Sequence, residues 1–317
     1  MKYRIGYILV ITATVMLLCG CSQKTIEEME WAFQTSNTTE DIMSISFTDK
    51  KHGWAVTADG SILATEDAGE TWTAKKIAEN RLTSVCAVDK EVVWAAGLNG
   101  SLYQSTDGGV VFKDRAFDPE ENAIEIDFWD DDHGIILANR VDSDGSIYGT
   151  VFRTSDGGAD WSEVYVALDS ATALDILEEG RGWIATRGSI WNTTDYGANW
   201  EENVIGEAIS INDLHFDDYS YGFLVGDSGT YYTSFDSGWS WDNRGGAFPE
   251  RHLSALEFTD RFNGIIVGQG GIILYTVDVG EHWNFDDQLT SSDLYDITSV
   301  KNRFYICGAG GTIISIH

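Results

Sequence analysis

Hydrophobic and polar residues alternate along most of the chain in short runs, and glycine-rich turns separate the runs. Residues 43–47 (MSISF) and 256–258 (LEF) alternate at a period of two. Other runs open with Gly and a bulky residue, as at 53–56 (GWAV) and 264–267 (GIIV). Short runs of this kind predict β-strands, and the body of the chain shows no sustained helical period.

One octet with the pattern [ST]-x-D-x-G-x-x-[WF] recurs six times, and successive copies lie 39 to 49 residues apart. Repetition at this period indicates one supersecondary unit used many times. The octets carry the acidic residues Asp67, Asp107, Asp156, Asp195, Asp236 and Asp278, and five of them end in Trp72, Trp161, Trp200, Trp241 and Trp283.

The repeats predict an all-β, seven-bladed β-propeller with four-stranded antiparallel blades. Each unit supplies four strands, with the octet between the third and the fourth. A seventh unit over residues 294–315 supplies only three strands. The segment 29–33, with Trp31 in the place of an octet aromatic, is expected to complete that last blade and close the ring. Closure removes an exposed sheet edge.

The octet has a structural explanation that we favour over catalysis or Ca²⁺ binding. Its Asp and Ser/Thr side chains can bond to the backbone of their own turn, and its Gly permits a conformation that a side chain would obstruct. The terminal aromatic is expected to be buried between neighbouring sheets.

Charge and cysteine content narrow the classes of partner and cofactor. The chain has 20 Lys+Arg against 51 Asp+Glu, a net charge of −31, which repels nucleic acid. The six His are scattered and no C-x-x-C motif is present, so neither a zinc site nor another cofactor is predicted. Cys86 and Cys307 lie in apolar runs of non-adjacent units, which favours buried free thiols over a disulfide.

The N-terminal segment is typical of an exported lipoprotein. Basic Lys2 and Arg4 precede an apolar run over residues 5–18, and residues 18–21 (LCGC) resemble a bacterial lipobox. We therefore expect a signal peptide over residues 1–20, lipid on Cys21, a tether over 21–27 and the propeller over 28–317. The alternative is an uncleaved anchor. By resemblance to Gram-negative sorting rules, Ser22 predicts the outer membrane, facing either the periplasm or the outside.

The octets resemble the BNR/Asp-box of sialidases and sortilin-type receptors. The longer unit, roughly G-W-x-V-G-x-x-G-x-I-x-x-T-x-D-x-G-x-x-W, is most similar to the photosystem II assembly and stability factor family. The resemblance covers about residues 28–317 and implies a non-catalytic propeller that holds a membrane-protein client on a basic patch. This chain departs from that pattern in its acidity and its lack of an arginine-dense stretch, so a scaffold or client-binding role is expected rather than a photosystem role.

The face opposite the octets is the expected ligand face, by analogy with other propellers. Candidate residues near the axis are Asp59, Asn99, Arg187, Asp227 and Gln269; farther out are Arg81, Glu120, Glu121, Glu250, Arg251 and His252. An insertion at about residues 140–148 is expected to form a specificity loop on this face. Its Asp142 and Asp144 indicate a turn, with a Ca²⁺ ligand pair as the alternative.

The sequence favours a non-enzymatic binding or assembly module over a glycoside hydrolase. Sialidase-like hydrolysis needs three Arg on a carboxylate, a Tyr/Glu pair and an acid. The first unit has no R-I-P-like motif, although Arg81, Arg140, Arg187 and Arg251 fall in loops of one expected face. We therefore expect a membrane-anchored module of the cell envelope whose partner is a protein client, with a glycan as the alternative.

Overall fold

The computed structural model describes residues 30–115, 117–206, 209–217, 220–245, 248, 250–286 and 289–316. The predicted signal peptide, the tether and Cys21 lie outside the described residues.

Seven four-stranded antiparallel sheets form the fold, as the repeats predict. Blade 1 contains β2 (Ile42–Phe47), β3 (Gly53–Thr57), β4 (Ser61–Thr65) and β5 (Thr73–Lys76). Blade 2 contains β6 (Leu82–Ala87), β7 (Val93–Gly97), β8 (Leu102–Ser105) and β9 (Phe112–Asp114). Blade 3 contains β10 (Glu121–Phe128), β11 (His133–Val141), β12 (Ile147–Ser155) and β13 (Ser162–Leu168). Blade 4 contains β14 (Ala171–Leu177), β15 (Arg181–Thr186), β16 (Ser189–Thr193) and β17 (Glu201–Val204).

The remaining blades follow the same order. Blade 5 contains β18 (Ile211–Phe216), β19 (Gly222–Gly226), β20 (Tyr231–Ser234) and β21 (Asp242–Asn243). Blade 6 contains β22 (Leu253–Phe258), β23 (Gly264–Gly268), β24 (Ile273–Thr276) and β25 (Asn284–Asp286). Blade 7 contains β26 (Leu294–Val300), β27 (Arg303–Gly308), β28 (Ile313–Ile316) and β1 (Trp31–Phe33). Short 3-10 turns lie at Asp227–Gly229, Gln269–Gly271 and Ala309–Gly311. Within the described ranges no helix is long and apolar enough to cross a membrane.

The N-terminal strand completes the last blade, which confirms the predicted closure. In the β1–β28 ladder Trp31 lies opposite Ile316, and Phe33 lies opposite Ile314. The first strand of each blade contacts the first strands of the blades on both sides, from β2 through β6 and onward to β26, which returns to β2. The seven sheets therefore encircle one axis.

The antiparallel order gives the ring two faces. Turns between first and second strands, and between third and fourth strands, lie on one face together with the octets; we call it the octet face. Turns between second and third strands lie on the other, together with the connections between blades; we call it the ligand face. The candidate ligand-face residues are placed by this definition.

Aromatic side chains pack the sheets against one another, and some of their rings lie directly over glycines. Phe47 of blade 1 stacks on Tyr305 of blade 7, with ring centroids 3.7 Å apart, and Phe216 stacks on Trp183 of blade 4 at the same distance. A Cβ placed on Gly222 would lie 2.5 Å from Cε1 of Phe216. Gly222, which opens the second strand of blade 5, is therefore required because the ring of Phe216 in the first strand covers it.

Candidate functional site

The six octets share one hydrogen-bond pattern. In blade 1 the Thr65 hydroxyl donates to Asp67 Oδ1 (2.8 Å), and Thr71 N–H donates to the same oxygen (2.9 Å). Gly69 N–H donates to the Thr65 hydroxyl (2.9 Å). The same three bonds recur around Asp107, Asp156, Asp195, Asp236 and Asp278. These carboxylates are occupied in holding their turns, so the arrangement is one of scaffolding.

Hydrogen bonding also sets the protonation of several octet carboxylates. The Thr71 hydroxyl and N–H lower the pKa of Asp67 below its ordinary value, and backbone N–H donors lower the pKa of Asp107 and Asp156. A carboxylate with a lowered pKa is a poor general acid at neutral pH.

The octet tryptophans lie between neighbouring sheets or cap their own turns. The indole N–H groups of Trp200, Trp241 and Trp283 donate to the carbonyl of the octet Gly, at 2.9 to 3.1 Å. Trp72 donates to Gln34 Oε1 (3.0 Å), just after the closing strand β1. Trp161 packs edge-on against Trp94 of blade 2, with ring centroids 5.9 Å apart.

The ligand-face candidates near the axis are spread over five blades. Asp59 is held in its own turn by the Thr57 hydroxyl (2.6 Å) and Ser61 N–H (3.1 Å). Asn99 is exposed and donates to Asn80 (3.3 Å). Arg187 and Gln269 are exposed. These four residues lie in blades 1, 2, 4 and 6, and none of them lines the central channel or its mouth.

Asp227 is the candidate that the fold surrounds with other polar side chains. The Ser210 hydroxyl donates to Asp227 Oδ2 (2.7 Å), Asn212 Nδ2 to Oδ1 (3.2 Å), and His252 Nδ1 lies against Oδ1. Arg251, exposed, precedes His252 in the same loop. The Ser210 hydroxyl lowers the pKa of Asp227, aided by Asn212 and His252. Since Ser210 donates to the carboxylate and not to the imidazole, the group lacks the base-to-nucleophile contact of a hydrolase.

The blade 3 insertion lengthens β11 and β12 into a hairpin on the ligand face, where a loop was expected. Val141 pairs with Ile147 near its tip, and Asp144 accepts Ser146 N–H (2.9 Å). Across the described part of the chain, no group of three or more His, Cys, Asp or Glu could hold a metal ion.

Glu121 corrects one expectation for the ligand face. Glu121 is 0% exposed. Its carboxylate lies 2.5 Å from an Arg140 guanidinium nitrogen, and the same nitrogen lies 3.1 Å from the Asp118 carboxylate. Glu121 and Arg140 therefore brace the hairpin base rather than offering free charge to a ligand. Arg81, Arg140, Arg187 and Arg251 come from four different blades.

The central channel is a feature that the sequence reasoning missed. It encloses about 180 Å³ and is lined by the first strands. Six acidic side chains from blades 3 to 7 line it, together with His215; they are Glu125, Asp127, Asp175, Asp213, Glu257 and Asp296. Acidic residues that alternate with apolar ones in first strands, as in 125–128 (EIDF) and 213–216 (DLHF), were the available signal.

Five channel carboxyls bond to the next blade around the ring. Asp175 accepts Phe216 N–H (2.6 Å), and Glu257 accepts the Ser299 hydroxyl (2.8 Å). Asp296 accepts Ile45 N–H (2.9 Å), Glu125 accepts Leu174 N–H (2.9 Å), and Asp213 accepts Leu256 N–H (2.8 Å). The first strand is a sheet edge, so its N–H groups toward the axis have no ladder partner. The carboxyls supply that partner and link adjacent blades.

Burial shifts the protonation of the channel toward neutral forms. It raises the pKa of Asp213 to about 8 and that of Asp296 to about 6. Burial, with added repulsion from neighbouring carboxylates, raises the pKa of Glu125, Asp175 and Glu257 well above their ordinary values. The pKa of Asp127 is also raised by burial, whereas that of His215 falls to about 4. The channel carboxyls are therefore protonated at acid pH, and the channel gains negative charge as pH rises.

The fold and repeats match proteins of known family. The family described as photosynthesis system II assembly factor YCF48 matches residues 23–88 and 203–292. The solved structure of YCF48 bound to D1 peptide superposes with a TM-score of 0.75 at 20% identity, covering 90% of this chain and 94% of that one. The chain is similar to this family over just under half of its length, and it shares the β-propeller fold.

Two curated relatives match this Ycf48-like propeller over shorter segments. The photosystem II assembly lipoprotein Ycf48 of Synechococcus sp. (strain CC9902) is 31% identical over 93 residues, 28% of each chain. The protein of the same name from Picosynechococcus sp. (strain ATCC 27264 / PCC 7002 / PR-6) is 39% identical over 66 residues, 20% of this chain and 19% of that one. The matched segments thus span less than a third of these relatives. Both are named assembly lipoproteins and neither is named an enzyme.

Proposed function

We propose that this Ycf48-like propeller is a non-enzymatic assembly module that binds a protein client on its ligand face. Its likeness to YCF48 bound to D1 peptide is the observation that carries the proposal. Asp227 and the octet carboxylates, which are tied to backbone or side-chain donors, support a binding role over hydrolysis.

The client chemistry that we propose is a positively charged segment. On the ligand face the channel opens through a mouth of about 130 Å³, lined by Met43, Asn212 and Tyr295, with Glu125 and Asp296 beneath. A mouth of this size takes a side chain and not a folded element. A Lys or Arg there would offset the cost of ionising the carboxyls below.

We further propose that the mature chain is attached to the membrane by lipid on Cys21, after removal of residues 1–20, with 21–27 as tether. The naming of both curated relatives as lipoproteins supports this attachment. A Cys21→Ser variant is expected to move from the membrane fraction to the soluble fraction.

Site-specific photo-crosslinking tests the client proposal. A photoreactive residue at Arg187, exposed on the ligand face, is expected to give a discrete protein adduct in cells. The matched control is Glu201, exposed on the outer strand β17, which is expected to give none. Equal adducts at both positions, or none at Arg187, would contradict a ligand-face client.

Two further assays test the alternative functions. Hydrolysis of chromogenic glycosides by the purified chain would favour a glycosidase, and binding to a glycan array would favour a glycan-binding protein.

A further inference from the structure

Of the seven exposed aromatic side chains in the described part of the chain, three lie in octet-face turns of the neighbouring blades 5 and 6. Phe235 is 47% exposed, Trp239 49% and Phe262 46%. Phe235 and Trp239 belong to the blade 5 octet, and Phe262 lies in the turn between β22 and β23 of blade 6. We call these three residues the aromatic patch. Exposed apolar side chains that are grouped on one face of a protein mark an interaction surface.

Neighbouring groups hold the patch in place. Tyr221 packs edge-on against Phe235, with ring centroids 5.4 Å apart, and the Arg261 guanidinium lies 4.0 Å from the centre of the Tyr221 ring. Asn203 of blade 4 donates to the Trp239 carbonyl (2.9 Å). The Trp239 backbone is therefore held by blade 4, and the Phe235 ring by Tyr221, which Arg261 of blade 6 covers in turn.

The blade 5 octet differs from the blade 1 octet at two positions that the turn does not use. The second octet position holds Phe235 in blade 5 but Glu66 and Thr106 in blades 1 and 2. The sixth position holds Trp239 in blade 5, whereas Glu70 occupies it in blade 1. Because the shared hydrogen bonds use other octet positions, the exposed aromatics are not explained by folding of the turn.

The chain also enters the propeller from the octet face. The third strand of each blade runs from the ligand face to the octet face, so Ile316 lies at the octet end of β28. Trp31, opposite Ile316, begins β1 at that end. Blade 7 is next to blade 6, which carries Phe262. The tether (residues 21–27) and the two residues after it can span at most about 30 Å, so an anchor at Cys21 keeps this face near the bilayer.

We propose that the aromatic patch docks in the headgroup interface of a zwitterionic lipid bilayer, so that the octet face lies against the membrane and the ligand face points away. Trp, Tyr and Phe with a nearby Arg are the residues that favour this interface. The chain's net charge of −31 selects against anionic lipid. This inference rests on the proposed N-terminal anchor.

Depth-dependent quenching tests the orientation. The lipidated mature chain is placed in phosphatidylcholine vesicles that carry a doxyl-labelled lipid. A nitrobenzoxadiazole label is attached at Glu281→Cys, in the blade 6 octet beside the patch, or at Arg187→Cys on the ligand face. The two faces of the ring are separated by the length of a blade strand of five to six residues, so the two labels differ in depth along the propeller axis by about 17–20 Å. We expect loss of most emission at position 281 and none at position 187.

The role of the patch is tested by the triple variant Phe235→Ser, Trp239→Ser, Phe262→Ser. Its matched control is Phe285→Ser, because Phe285 is 52% exposed on the outer strand β25, outside the patch. Quenching at position 281 is expected to be lost in the triple variant and retained in the control, and both are expected to float with the vesicles. Exchanging part of the phosphatidylcholine for phosphatidylglycerol is expected to weaken quenching.

Flotation separates failure of the anchor from failure of the inference. Chains that do not float would refute the lipid anchor and the orientation together. Chains that float with equal quenching at positions 281 and 187, or with more at 187, would overturn the orientation alone. Quenching at position 281 that survives in the triple variant would overturn the role of the aromatic patch.

Discussion

Neutralising Asp296 should remove a cost to stability that the protein carries at alkaline pH and not in acid. Burial raises the pKa of this channel carboxyl from its ordinary 3.8 to about 6. Each pKa unit corresponds to about 1.4 kcal/mol, so the ionised form costs the fold about 3 kcal/mol. The native state binds the proton more tightly than the unfolded state, so this cost is absent below pH 3.8. It grows through the window from 3.8 to 6 and is constant above it.

The Asp296→Asn variant removes the titration and keeps an oxygen that can accept Ile45 N–H, but its amide nitrogen replaces the oxygen that accepts Ile297 N–H (2.7 Å). Because that loss does not depend on pH, urea unfolding followed by tryptophan fluorescence should show the variant gaining about 2 kcal/mol on the parent between pH 4.5 and pH 8. At pH 8 each kcal/mol raises the melting temperature by about 2–4 °C for a chain of this size.

Asp49→Asn is the control of opposite sign. Although partial burial acts to raise it, hydrogen bonds from His52 and Lys51 lower the pKa of Asp49 to about 2. The native carboxylate therefore contributes stability above the ordinary pKa that is lost as pH falls toward 2. The Asn variant should be less stable at pH 8 and approach the parent in acid. A gain for Asp296→Asn that does not change with pH would refute the desolvated channel.

Three further predictions concern packing, turns and thiols. Gly222→Ala should destabilise the fold by about 1–3 kcal/mol, because its Cβ would meet Phe216, and differential scanning calorimetry measures the loss. Asp156→Ala removes the acceptor of two octet bonds and should lower the midpoint of urea unfolding. Cys86 and Cys307 are both buried, so neither thiol should react with Ellman's reagent until urea unfolds the chain.

Each of these predictions has a discriminating control. A smaller ring neighbour, Phe216→Leu, should recover part of the loss in Gly222→Ala, and a loss that it does not relieve would point away from the predicted clash. Asp160→Ala, at an exposed octet position, should cost less than Asp156→Ala, and equal costs would argue against the carboxylate as the source. A native Cys86 or Cys307 thiol that reacts at the rate of the unfolded chain would contradict its burial.

The fold could be predicted because the repeat is locally encoded. Each octet requires Asp67 or its equivalent for the turn. In blades 1, 3, 5 and 6 the second strand carries a Gly beneath an aromatic ring of the first strand, as at Gly222, so both features recur at regular spacing. Trp31 could be assigned to the last blade because an incomplete seventh unit leaves one sheet edge to be filled. Contacts within one repeat unit can therefore be predicted from the period of the sequence repeat.

The site was harder to predict because its contacts join different units. Glu121 was expected to be a surface charge, and only the paired β10 and β11 show that it is buried against Arg140. Asp213 and Asp296 approach one axis because seven first strands converge, a relation that no local spacing records. Asp227 was found as a turn residue, whereas its partners Ser210 and His252 come from the loops that connect blades.

The pairing of β1 with β28 has a consequence for biosynthesis. Trp31 pairs with Ile316, so the seventh sheet cannot be completed until residues 31–316 have all been synthesised. Pairing of strands so distant in sequence is slow, because the chain loses the entropy of loop closure before the new contacts can stabilise it. Until that moment the nascent chain carries an unmatched edge able to recruit another copy. Chaperone dependence and domain-swapped dimers are the outcomes to look for when translation is stalled or the first strand is deleted.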